Sequence, residues 1–146
     1  MRLYEPKICS FSVIEMAEKK KITGKIVSGI GRGAFYVRQK PYFTLFRELL
    51  DGDPFPGTLN VVIADSELKF EDLPHYFKPK EFGDIKYAIG EIKDTKILVV
   101  RPCKSVHPDN VFEIIAPIKL REKYNLSDGD QITFSVLVSK PREKED

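Results

Sequence analysis

The order of apolar and polar positions divides the chain into short strands separated by turn-rich loops. From Lys21, ITGKIVSGI alternates and is rich in β-branched residues, which predicts a strand. GIGRGAFYV follows as a glycine turn that runs into a second strand. Pro41 opens PYFTLFRELL, where Phe43, Phe46, Leu49 and Leu50 fall on one helical face and the proline suits a first turn. DGDPFPG stops that helix, and TLNVVI is the next strand. SELKFEDLPHYFKPKEFG has no period. IKYAIGEI and TKILVVRP form a hairpin across Lys93-Asp94. VFEIIAP is a buried strand, IKLREKYNL one short helix, SDGD a turn and QITFSVLV the last strand.

Strands dominate and do not alternate with helices, which excludes a doubly wound sheet. The pattern predicts a mainly β chain: a single small barrel of about six strands with short helical insertions. Residues 1–20 read as an N-terminal extension in which CSFSVIEMAEKKK has the pattern of a short amphipathic helix. Residues 21–140 make the barrel domain, and residues 141–146 a charged tail.

Composition narrows the function classes. The 146 residues suffice for one core, and a net charge of +2 gives no drive toward nucleic acid or a membrane surface. No apolar run approaches the roughly 20 residues of a membrane helix. The N-terminus lacks the apolar core and cleavage site of a signal peptide, so a cytoplasmic location is expected. Cys9 and Cys103 stand far apart and read as reduced thiols.

Three segments have chemical potential. In Gly29-Ile30-Gly31-Arg32-Gly33-Ala34, glycines at alternate positions let the backbone turn tightly and present N–H groups to phosphate oxygens. No Gly-Lys-Ser/Thr follows and no helix comes next, so it is neither a Walker A loop nor a Rossmann fingerprint. Taken alone, a glycine-rich hairpin turn explains it better. In PFPGTLN, Thr58 and Asn60 are two apart on an extended chain and face the same way. A hydroxyl and an amide carbonyl are hard oxygen ligands that can complete a magnesium site with phosphates and water; ordinary polar residues at a strand start are the plainer explanation. In VFEII, Glu113 stands in an apolar strand, where a carboxylate needs a partner or faces water at an edge. Lys119, Arg121 and Lys123 on the next short helix can meet phosphates or simply be solvated. His107, in a loop before a proline, has no partner pattern.

Taken together, these segments resemble the archaeal CTP-dependent riboflavin kinases. GKIVSGIGRGAFYV, KPYF, PFPGTLNV and FEIIAPIKLREKYNLSDGDQITF match in order from about Lys21 to Val138. The resemblance implies a cradle-loop β-barrel and transfer of the γ-phosphate of CTP to the ribityl 5′-hydroxyl of riboflavin, giving FMN and CDP. Carried onto this chain, Gly29, Ile30, Gly31, Arg32, Gly33 and Ala34 contact the nucleotide. Ile118, Lys119, Leu120, Arg121, Glu122 and Lys123 line it. Thr58 and Asn60 hold magnesium, and Ser105 and Glu113 contact the flavin. Ser105 stands where the family often has Thr, and Arg32 where Glu can occur. The resemblance supplies no general base, and no nucleic-acid, membrane or obligate protein partner is expected. The rival readings are a DNA-binding barrel of the swapped-hairpin type, with which KYNLSDGDQITF is equally compatible, and a barrel that only binds FMN.

Overall fold

The computed structural model describes residues 17–29, 37–104 and 110–139. Seven strands are present among them: β1 (Ala17–Val27), β2 (Leu59–Val62), β3 (His75–Phe77), β4 (Ile85–Ile92), β5 (Thr95–Pro102), β6 (Val111–Ile115) and β7 (Gln131–Ser139). Two helices accompany them, α1 (Lys40–Leu50) and α2 (Leu120–Lys123), with a 3-10 turn at Phe70–Asp72. The sheet runs β3-β4-β5-β6-β2-β1-β7, all antiparallel, and a β4–β7 pairing closes six of the strands into a barrel. β3 remains outside, as an edge on β4. The six-stranded barrel with helical insertions expected from the sequence is therefore the observed architecture.

Closure depends on a glycine. Gly90 pairs with Val136 at the β4–β7 seam, and a Cβ there would stand 2.2 Å from the Ser135 carbonyl oxygen. Only a residue without a side chain lets the two backbones approach this closely.

The burial pattern follows from what covers each strand. In β1 and β7, buried Ile22, Ile26, Ile132, Phe134, Val136 and Val138 alternate with exposed or half-buried positions, because one face is solvated. Every residue of β6 is buried, because its outer face is covered too. The cover is α1, whose Tyr42, Phe46 and Leu50 lie at i, i+4 and i+8. They pack with Leu98, Val100, Ile115, Ile85 and Tyr87 as a second core outside the barrel, while Leu59, Val61, Val99, Phe112 and Ile114 fill the inside.

Four local features differ from the sequence expectation. β1 begins at Ala17, so Ala17–Lys21 is strand and not the end of a helix; nine register pairs with β7, from Ala17↔Ser139 to Lys25↔Gln131, outweigh the helical propensity of AEKKK. Val37 lies in a helical turn ahead of α1 and not in a strand. The buried face of α1 is set by Tyr42, Phe46 and Leu50, with Phe43 half-buried. The aperiodic stretch contains β3, held by pairing with β4. The rest of the expected N-terminal helix lies outside the described residues.

The Lys93-Asp94 turn joins Ile92 to Thr95 as expected, with Lys93 at φ 53°. The Tyr124 hydroxyl bonds to Thr95 Oγ1 at 2.6 Å and Asp94 Oδ1 at 2.8 Å, anchoring the end of α2 to the hairpin tip.

Candidate active site

β2 and β6 pair with Leu59 opposite Ile114 and Asn60 opposite Glu113. Leu59, Val61, Phe112 and Ile114 point into the barrel, so alternation turns Asn60 and Glu113 to the outer face. Val100 follows Glu113 in register on the other side. Thr58, two residues before Asn60, shares its side.

Both polar side chains of this pair are deeply buried, Asn60 at 7% exposure and Glu113 at 7%. Burial raises the Glu113 carboxyl above the ordinary carboxylate range, and a hydrogen bond from Thr58 and the charge of Arg101 act against that rise. The Thr58 hydroxyl has one proton and two lone pairs. Giving the proton to Glu113 leaves its lone pairs turned away from the carboxylate. Asn60 Oδ1 has no hydrogen-bond partner among the described residues although it is buried. Such an acceptor is costly unless a ligand satisfies it. Gly29 lies against the same amide, and a Cβ at Gly29 would stand 2.0 Å from Asn60 Nδ2.

Thr58 also borders a cavity of about 100 Å³. Phe55, Ile114, Ala116, Ile118 and Leu120 give it apolar walls, and Lys119 and Arg121 add cationic groups. The Phe55 N–H donates to the Ala116 carbonyl at 2.7 Å, which fixes this wall to the end of β6. A planar apolar group with an anionic tail suits that lining.

The sequence-derived residues thus separate into groups. Thr58, Asn60, Glu113 and Gly29 come together, and Ile118, Lys119, Leu120 and Arg121 join Thr58 around the cavity. Glu122 and Lys123 do not line it: Glu122 pairs with Lys119 at 3.6 Å, and Lys123 turns to Asp94 at 3.6 Å. Ile30, Gly31, Arg32, Gly33, Ala34 and Ser105 lie outside the described residues.

Three site residues were not singled out from sequence. Arg101 is buried at 6% exposure, donates to the Val111 carbonyl and lies 6.0 Å from the Phe112 ring, bracing the start of the strand that carries Glu113. Its signal was akin to the one that marked Glu113, a charge next to apolar strand residues: Arg101 follows Val99 and Val100 in TKILVVRP. Phe55 sits inside PFPGTLN, but nothing local says which way its ring faces. Asp128 accepts hydrogen bonds from Ser28 Oγ and Arg121 Nη2. Those contacts hold its carboxyl below the ordinary range, led by the Ser28 bond.

The fold and site define a small antiparallel barrel with a buried polar face beside a largely apolar cavity. Among the described residues there is no cluster of three or more His, Cys, Asp or Glu that could hold a metal ion. No helix of the described residues is long and apolar enough to cross a membrane.

Comparison with known proteins places the chain in a family. The family CTP-dep_RFKase, described as a domain of unknown function (DUF120), matches residues 26–136. A riboflavin kinase of Pyrococcus furiosus is 42% identical over 125 residues, covering 80% of this chain and 58% of the relative. A riboflavin kinase of Thermococcus kodakarensis is 41% identical over 128 residues, covering 82% and 60%. One of Saccharolobus solfataricus is 38% identical over 130 residues, covering 81% and 74%. The chain belongs to the CTP-dependent riboflavin kinase family. It spans about three fifths of the length of the first two of these relatives.

Proposed function

We propose that this chain phosphorylates riboflavin, moving the γ-phosphate of CTP to the ribityl 5′-hydroxyl and releasing FMN and CDP. The observation that carries this reading is the union of half-buried Thr58 with buried Asn60 and Glu113 on one face, beside a cavity that Thr58 shares with Ile118–Arg121.

Thr58 and Asn60 fit a magnesium ion. The Asn60 oxygen is buried with no partner among the described residues, and the Thr58 hydroxyl, which gives its proton to Glu113, has lone pairs that can meet a cation. Both are hard oxygens, and Mg²⁺ in phosphoryl-transfer sites is held by few protein ligands together with substrate phosphates. When bound, the ion supplies charge neutralisation on the phosphate oxygens. Everything else in the reaction is positioning. Arg121 and Lys119 stand at the cavity where a phosphate tail emerges, and Gly29 packs against the Asn60 amide. Glu113 accepts a hydrogen bond from Thr58 and faces the acceptor side, where its carboxyl can take a further one from flavin or ribityl donors. In the transfer, the ribityl oxygen forms the new P–O bond as the bond to the β-phosphate breaks, and the hydroxyl proton leaves to solvent. A loose transition state asks little of a base.

The apolar walls of the cavity suit a nucleobase, and the family to which the chain belongs makes cytosine the expected base. Phe55 offers that ring a stacking face, a contact worth about 1–3 kcal/mol per base.

The test is direct. The chain is incubated with riboflavin, magnesium and CTP, UTP, ATP or GTP, and FMN is separated and quantified by fluorescence. FMN is expected with CTP and little with the purine nucleotides. No FMN with any donor overturns the proposal.

A further inference from the structure

Asp128 joins two segments that the functional reading places on the nucleotide, though they lie far apart in sequence. It sits in the turn between α2 and β7. That turn is rigid: Asp130 N–H donates to the Ser127 carbonyl at 3.0 Å, and Ser127 N–H donates to Asp130 Oδ2 at 2.8 Å. It is also tied to β1, with Gly129 N–H donating to the Ile26 carbonyl at 2.8 Å and Ile26 N–H to the Asp130 carbonyl at 2.8 Å. The Asp128 carboxylate is therefore presented from a fixed base.

Each of its oxygens takes a different partner. Oδ1 accepts from Arg121 Nη2 at 2.7 Å, on the helix that borders the cavity. Oδ2 accepts from the hydroxyl of Ser28, the residue before Gly29. These side chains are partly in water, at 33% exposure for Arg121 and 51% for Asp128. An exposed ion pair of this kind contributes little to folding stability. A carboxylate at a phosphate site also repels the ligand unless it does something else there. Arg121 has five N–H donors in a rigid fork, and a fork pinned at one Nη2 donor points the rest in a fixed direction.

We propose that Asp128 is a positioning residue for the nucleotide phosphates: it fixes the Arg121 guanidinium and the Ser28–Gly29 backbone relative to each other so that both meet the same phosphate group. This rests on the functional reading above, and its test separates the two. Asp128→Asn keeps the shape and removes the charge; Ser28→Ala removes one arm alone. The full chain of each variant is measured for CDP binding by calorimetry, for KM of CTP and of riboflavin, and for Tm. Asp128→Asn is expected to weaken CDP binding and raise KM for CTP about tenfold, with KM for riboflavin and Tm close to wild type. Ser28→Ala is expected to cost about threefold, and the double variant to be no worse than Asp128→Asn, because one clamp is lost once. Asp128→Glu is expected to restore part of the loss. If Asp128→Asn binds CDP within twofold of wild type, raises both KM values equally, or combines with Ser28→Ala multiplicatively, the proposal on Asp128 is wrong while the kinase reading stands. A wild-type chain that neither binds CDP nor makes FMN overturns both.

Discussion

Replacing Gly29 with alanine probes the packing of the site with a single methyl group. Gly29 has no left-handed φ, so the backbone tolerates alanine, and what resists is space. The new Cβ would stand 2.0 Å from Asn60 Nδ2, whereas ordinary contact begins at 3.4 Å. The amide must retreat by the 1.4 Å between those distances, and at 7% exposure Asn60 retreats against Glu113 and its strand neighbours. Overpacking of this size costs about 1–3 kcal/mol in stability. A displacement of about 1 Å in a group that positions reactants costs about 100-fold in rate. Gly29→Ala is therefore expected to lower kcat for FMN formation about 100-fold while remaining folded. Gly52→Ala is the control, since a Cβ there meets nothing within 4 Å. In Gly29→Ala/Asn60→Ala the truncated amide leaves room for the methyl, so Tm recovers but activity does not. A Gly29→Ala enzyme with kcat within threefold of wild type would refute the reasoning, because a displaced Asn60 oxygen would then be irrelevant to catalysis.

Further outcomes follow from the same geometry. Glu113→Gln is expected to raise Tm by an amount that grows with pH. The buried carboxyl holds its proton above the 4.5 of an ordinary glutamate, so its favourable contribution is complete below that value and is lost as pH rises through the folded-state value. A gap between wild type and Glu113→Gln that is flat or shrinks with pH, measured by thermal melts from pH 4 to 9, contradicts the burial argument. Gly90→Ala is expected to cost about 3 kcal/mol in denaturant titrations, since the Ser135 carbonyl 2.2 Å away is backbone and cannot step aside; a loss below 1 kcal/mol would mean that the seam is plastic. Phe55→Ala is expected to raise KM for CTP about tenfold through the lost stacking face, with KM for riboflavin unchanged; equal effects on both substrates would place Phe55 outside the base site.

What the sequence revealed of this fold was what local pattern encodes. The alternation in ITGKIVSGI and QITFSVLV, the Lys93-Asp94 hairpin and the Pro41 helix start each follow from a short window, and all appear in the structure. β3 and the first turn of β1 did not show, because HYF and AEKK are held by partner strands and not by their own propensity. The buried face of α1 shifted from Phe43 to Tyr42 because the second core, built from Tyr87, Leu98 and Ile115, decides which aromatic turns inward. At the site, only Glu113 was legible as an odd residue type for its position, while Thr58 and Asn60 showed as a same-facing hard-oxygen pair that a strand start explains equally well. Their meeting was not legible, since it depends on the β2–β6 register. The Asp128 clamp spans 100 residues to Ser28 and leaves no local mark at all.

The central claim is that Thr58 and Asn60 on this face hold the magnesium through which the transferred phosphate is stabilised. The measurement that tests it most directly is the magnesium dependence of the initial rate of FMN formation, for wild type, Thr58→Ala and Asn60→Ala at saturating CTP and riboflavin. Saturable dependence in wild type, with the half-saturating concentration raised at least tenfold in Asn60→Ala and likewise in Thr58→Ala, is the predicted result. Unchanged magnesium titrations in both variants would contradict the claim.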